Sequence, residues 1–120
     1  MSWDTELYSA LTSNAAFNDA VTSIAYEYKA DAVAPFATYH LIGAPGTTDL
    51  DGHTTEGYRT IQITIAATSP TEAKEIAQNA IIAAKNGLIV TDVFERSLQR
   101  TDIDDLFGYA VDVTAWYDTP

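Results

Sequence analysis

The sequence predicts an α+β fold in a single domain, residues 1–120. The elements run in the order α-α-β-β-α-β-β, and a main helix packs on one face of a mixed, mainly antiparallel sheet. Three observations carry this prediction. Isoleucine recurs at Ile61, Ile63 and Ile65 with Thr60, Gln62 and Thr64 between them, a period of two that gathers the apolar set on one sheet face. A helical apolar stripe with start and stop signals follows in 69–87. A second alternation closes the chain, with Phe107, Tyr109, Val111, Val113 and Ala115 set against Gly108, Ala110, Asp112, Thr114 and Trp116.

The chain begins with Trp3, Leu7 and Leu11 at spacings of four, which predicts a short amphipathic helix over 2–13. Asn14 suits an N-cap for a second short helix that places Phe17, Ala20, Val21 and Ile24 on one face. Residues 25–34 show no clean period, so an edge strand and an irregular loop both remain open. Pro35 holds Ala34 in an extended conformation, and Ala37, Tyr39 and Leu41 then alternate with Thr38 and His40 as a strand. A long polar connection, 43–57, leads to the isoleucine strand, and connections of this length in a small domain are usually functional.

In the main helix Ser69 suits the N-cap, Pro70 the first helical position, and Glu72 the closing member of a capping box. Ala73, Ile76, Ala77, Ala80, Ile81 and Ala84 make the stripe, Lys85 complements the negative helix end, and Gly87 is expected to take a left-handed stop. Residues 88–99 alternate imperfectly, as a partly exposed strand does, and the aspartates at 102, 104 and 105 mark a turn. The open sheet face is expected to carry Tyr58, Gln62, Asp112 and Trp116.

Six basic against 17 acidic residues give a net charge of −11, which disfavours ordinary nucleic-acid and anionic-membrane binding. With no cysteine there is no disulfide or thiolate metal site. The first residues read as no secretory signal, and no stretch approaches the roughly 20 apolar residues of a membrane helix.

Catalytic chemistry finds little purchase. His40 sits on the polar side of its strand, where a solvated or hydrogen-bonded ring is expected rather than a base. Asp49, Asp51, Gly52 and His53 resemble part of a calcium loop, yet Thr60 stands at the twelfth position, where a bidentate acid is needed. No nucleophile elbow, phosphate loop or dinucleotide fingerprint occurs. The chain therefore reads as a non-enzyme without cofactor or metal. Arg59, Arg96 and Arg100 stand out among so few cations, either in local salt bridges or paired with a neighbouring acidic subunit. Of Trp116 and Tyr117, on opposite strand faces, one is expected in the core and the other exposed or at an interface.

In the order and spacing of these pieces the chain resembles the tail-terminator, or tail-completion, proteins of long-tailed bacteriophages. The resemblance runs from Leu7, Leu11 and Asn14–Phe17 through Ile24–Tyr26 and Ala34–Tyr39. It is fullest at Tyr58–Ala67 with Pro70–Ala73, and it ends with Phe94, Glu95 and Tyr109–Tyr117. It implies a structural virion subunit that forms a homo-hexameric ring on the head-proximal end of the tail tube. The ring ends tube growth and offers a head-tail joining surface, with the tail tube protein and a connector or neck protein as partners. DNA would pass through the lumen without specific binding, no membrane is involved, and the protein is made in the host bacterial cytoplasm. Interface residues are then expected at Arg59, Arg96, Arg100 and Trp116, and an assembly loop at Asp49, Asp51, His53 and Glu56. That loop and a longer segment between Tyr26 and Pro35 depart from the family pattern. A head-completion or neck assembly protein is the alternative, and a small metal-dependent binder or enzyme using 49–53 is a further one.

Overall fold

The isoleucine strand, Gly57–Ala67, is the middle strand of a five-stranded sheet. The computed structural model describes residues 3–26, 33–43, 57–98 and 106–117. In chain order the elements are α1 (Trp3–Thr12), α2 (Ala15–Asn18), β1 (Ile24–Tyr26), β2 (Phe36–Gly43), β3 (Gly57–Ala67), α3 (Pro70–Gly87), β4 (Ile89–Leu98) and β5 (Phe107–Tyr117). The sheet order is β1-β2-β3-β5-β4, parallel only between β1 and β2. Since β3 and β4 both run antiparallel to β5, they point the same way, and α3 makes the crossover between them. The expected α+β architecture is present, with β1 as an additional strand from the stretch where the pattern left strand and loop open.

The period of two decides the faces. Ile61 lies between Leu41 and Val113, Ile63 between Tyr39 and Val111, and Ile65 between Ala37 and Tyr109, all on the side that α1 and α3 cover. The three isoleucines, Val111, Val113, Leu7, Leu11 and Phe17 are fully buried there. The stripe of α3 is mostly alanine, so small side chains let the helix lie close on the sheet. Ala83 joins the buried stripe, whereas Ile81 is only partly buried. Leu41 continues the alternation of β2 but remains 39% exposed, beyond the cover of the helices.

Local chemistry sets the boundaries. Asn14 Oδ1 accepts from the Phe17 N–H at 3.0 Å and caps α2, which spans only four residues. Ile24 therefore leaves the helical face predicted for it and starts β1. The Ser69 hydroxyl accepts from the Glu72 N–H at 3.1 Å, and Pro70 opens α3. Glu72 reaches back to the N–H and hydroxyl of Thr68, both at 3.4 Å, one residue earlier than a capping box requires.

Gly87 differs from expectation. Its backbone is not in the left-handed region, and the helix ends at an extended Leu88. What Gly87 provides is closeness, since a Cβ there would lie 2.6 Å from the Ala10 side chain on α1. In β4 the register shifts between Val90 and Asp92. The extra residue puts Val90 on the helix face, opposite Ala115, and Phe94 on the open face, opposite Asp112. Here lies the reason for the imperfect alternation of 88–99.

Candidate functional site

Among the described residues, no helix covers the second face of the sheet. Five side-chain rows cross it, and the middle three are mainly polar, with Thr38 beside Thr64, His40 beside Gln62 and Asp112, and Thr60 beside Thr114, while the exposed Phe94 ends the row of Asp112. The Thr60 and Thr114 hydroxyls are 2.8 Å apart, and the Gln62 amide donates to Asp112 Oδ1 at 3.1 Å. Arg96 Nη1 reaches Asp112 Oδ2 at 3.4 Å, with side-chain exposures of 44% and 16%. Arg96 thus makes a local bridge within the single chain, a pair of modest worth at a surface. His40 sits half-buried beside Gln62, in the polar setting expected of it.

The row nearest the start of β3 is different. Tyr58, Trp116 and Ile89 are register neighbours on β3, β5 and β4. The Tyr58 and Trp116 rings meet edge to face, with centroids 5.1 Å apart at 80°. Trp116 is half-buried and Tyr117 fully buried, which resolves which ring of the pair belongs to the core.

Arg59 lies directly behind this row, on the helix face. The expectation for it was a local salt bridge or a pairing with a neighbouring subunit, and in the single chain it is only 4% exposed. The parity of β3 explains this, because Arg59 shares a face with Ile61 and so points under α1 and α3. Its guanidinium carbon stands 5.9 Å from the centre of the Tyr117 ring. Arg59 Nη1 and the Tyr117 hydroxyl are both buried without a hydrogen-bond partner among the described residues. Burial raises the Tyr117 pKa most, the Glu6 carboxylate raises it further, and Arg59 offsets part of the rise. Next to them Trp3 joins Tyr26, Tyr39 and Tyr117 in an aromatic cluster, with ring centroids 5.7 to 6.4 Å from its own. Sequence alone offered no sign of two unpaired polar groups side by side, since pairing depends on which strands become neighbours.

Arg100 and the acidic group Asp49, Asp51, His53 and Glu56 lie outside the described residues. Among the described residues no three His, Asp or Glu side chains gather as a metal site would require. A cleft of about 420 Å³ between α1 and the end of α3 is lined by Thr5, Glu6, Ser9, Asn14, Asn86 and Gly87 among others. Among the described residues, Glu6 is the one carboxylate on its wall, and no nucleophile–base pair is formed there. Among the described residues no helix is long and apolar enough to cross a membrane.

No family model matches the chain, and no curated protein does. Twenty chains of solved structures match it. One belongs to the virion of a native gene transfer agent (GTA) particle, with a TM-score of 0.58 and 14% identity. The alignment covers 96% of this chain and 93% of that one. The fold is shared with a virion component. At this identity the likeness is one of fold, extending over nearly the whole of both chains.

Proposed function

We propose that this chain is a non-enzymatic structural protein of a virion and, more finely, a tail terminator. Six copies would close a ring on the head-proximal end of the tail tube, end tube growth, and offer the joining surface to a connector or neck protein. The observation that carries the virion reading is the fold shared end to end with a chain of the gene transfer agent virion. The tail-terminator reading adds the order and spacing of the sequence pieces and a sheet face that no helix among the described residues covers. In this reading 1–120 acts as one domain at the neck end of the tail. Arg59, Arg96, Arg100 and Trp116 serve subunit or tube contacts, and Asp49, Asp51, His53 and Glu56 serve as an assembly segment.

A ring of six would carry six times −11, or −66. Carboxylates facing its bore would keep DNA from adhering during passage. The test is particle mass, alone and with purified tail tubes, together with electron microscopy for rings. Rings on one tube end support the reading. A protein that stays monomeric even with tubes present refutes it. The matched chain is described only as part of a virion, which equally suits a head-completion or neck protein. Antibody labelling on the head side rather than the tail side of the junction would select that alternative.

A further inference from the structure

We propose that two copies of this chain join edge to edge through β4, antiparallel and centred on Phe94, to make one continuous sheet. This goes beyond the ring reading, because a two-fold contact closes at two copies and cannot run round six.

The sheet has two outer strands, β1 and β4. β1 has three residues, and so short an edge offers little to pair with. β4 has ten, and among the described residues no strand pairs with its outer side. Edges are commonly blunted by lysine or proline, and β4 has neither. It presents Phe94 at mid-strand instead, 59% exposed. The bulge between Val90 and Asp92 lies near the start of β4, so the run from Asp92 onward keeps its register. The Val93 N–H donates to Asp92 Oδ1 at 3.0 Å, so the chain's own carboxylate stands where a further strand would bring a carbonyl. α3 packs mainly over β3 and β5, which leaves room beside β4 for a second copy.

The charges of β4 select the occupant and its register. Asp92, Phe94 and Arg96 share the open face, opposite Thr114, Asp112 and Ala110. A second copy with its helices on the same side must match open-face residues to open-face residues, so only every second register is possible. Centring the pair on Asp92, Glu95 or Arg96 sets that charge against itself, which destabilises. Centring it on Val93 leaves every charge unmatched. Centring it on Phe94 sets ring against ring and, on both sides, Asp92 of one copy against Arg96 of the other. Asp92 then leaves its own strand for that guanidinium, which has donors enough to keep its 3.4 Å contact with Asp112. The vacated Val93 N–H meets the Glu95 carbonyl of the second copy. Two chains of −11 repel at long range, but salt at about 0.15 M screens charges beyond about 8 Å, whereas the matched pairs lie in contact.

Sedimentation velocity at about 0.15 M salt tests this on four samples: wild type, Asp92→Arg, Arg96→Asp, and an equal mixture of the two variants. Wild type is expected to dimerise. Each variant alone sets like charges opposite one another and should associate about tenfold or more weakly. In the mixture every arginine at 92 or 96 meets an aspartate, so the dimer should return. Circular dichroism checks that each variant is folded. Asp92 is exposed, so Asp92→Arg decides alone if Arg96→Asp, which also breaks the bridge to Asp112, does not fold. A monomeric wild type overturns the pairing and leaves the edge to a strand of another protein. Variants that associate as tightly as wild type, or a mixture that stays monomeric, overturn the contact as well. None of these results touches the ring, which is read from particles on tail tubes.

Discussion

Replacing Ile63 by alanine probes the assignment of the sheet faces on which the rest depends. Ile63 is fully buried in the middle strand, between Tyr39 and Val111 and beneath the helices. The change removes three carbons, each contributing about 0.8 kcal/mol when buried, or about 2.4 kcal/mol together. Ladders on both sides of β3 hold the position open, so incomplete collapse adds about 1 kcal/mol for the cavity. The expected loss is about 3–4 kcal/mol, a large part of the roughly 5–15 kcal/mol that stabilises a domain of this size. Urea unfolding should show a lower midpoint with an unchanged slope. The adjacent Thr64→Ala, on the open face, is expected to cost about 1 kcal/mol or less. If Thr64→Ala proves the more damaging, or Ile63→Ala costs nothing, the faces are reversed.

Gly87→Ala should cost about 1–3 kcal/mol, because the added methyl meets Ala10 at 2.6 Å and α1 must move; a melting point equal to wild type would count against that close approach. Ser69→Ala removes the cap of α3 and should cost about 1 kcal/mol by thermal melting, with no change in the slope of denaturant unfolding. Tyr117→Phe removes an unpaired buried hydroxyl and should leave stability near pH 7 unchanged or slightly higher. The same variant changes the alkaline limb. Tyr117 has its folded-state pKa raised, chiefly by burial, so its contribution is whole below the ordinary tyrosine value of about 10 and is lost as pH climbs toward the raised value. Tyr39 and Tyr109 shift the same way, both mainly through desolvation. Unfolding followed above pH 10 should therefore be shallower in Tyr117→Phe, and an equally steep decline would show that Tyr117 does not carry the effect.

Much of the fold was legible because its signals are local. Alternation at Ile61, Ile63 and Ile65, the Ser69–Pro70 start and the spacing of alanines in the main helix each report a backbone period, and a period is a property of consecutive residues. The misreadings fell where a distant neighbour decides. Glycine at 87 looked like a helix stop, but its purpose is set by Ala10 on another helix. The poor alternation of 88–99 was visible, yet only pairing with β5 located the bulge between Val90 and Asp92.

The candidate site divides the same way. From the sequence alone came the scarcity of cations, the placement of Trp116 and Tyr117 on opposite faces, and the polar character of the second sheet face, because composition and parity need no partner strand. The tertiary structure decided that Arg59 turns inward against Tyr117, that Arg59 Nη1 and the Tyr117 hydroxyl are buried with no hydrogen-bond partner among the described residues, and that Leu41, Ile42, Tyr58 and Ile89 gather at one end of the sheet. The reason is physical. Burial and hydrogen-bond pairing are fixed by which surfaces come together, and residues 41, 59, 89 and 117 are brought to one end of the sheet only through the register of strands far apart in the chain.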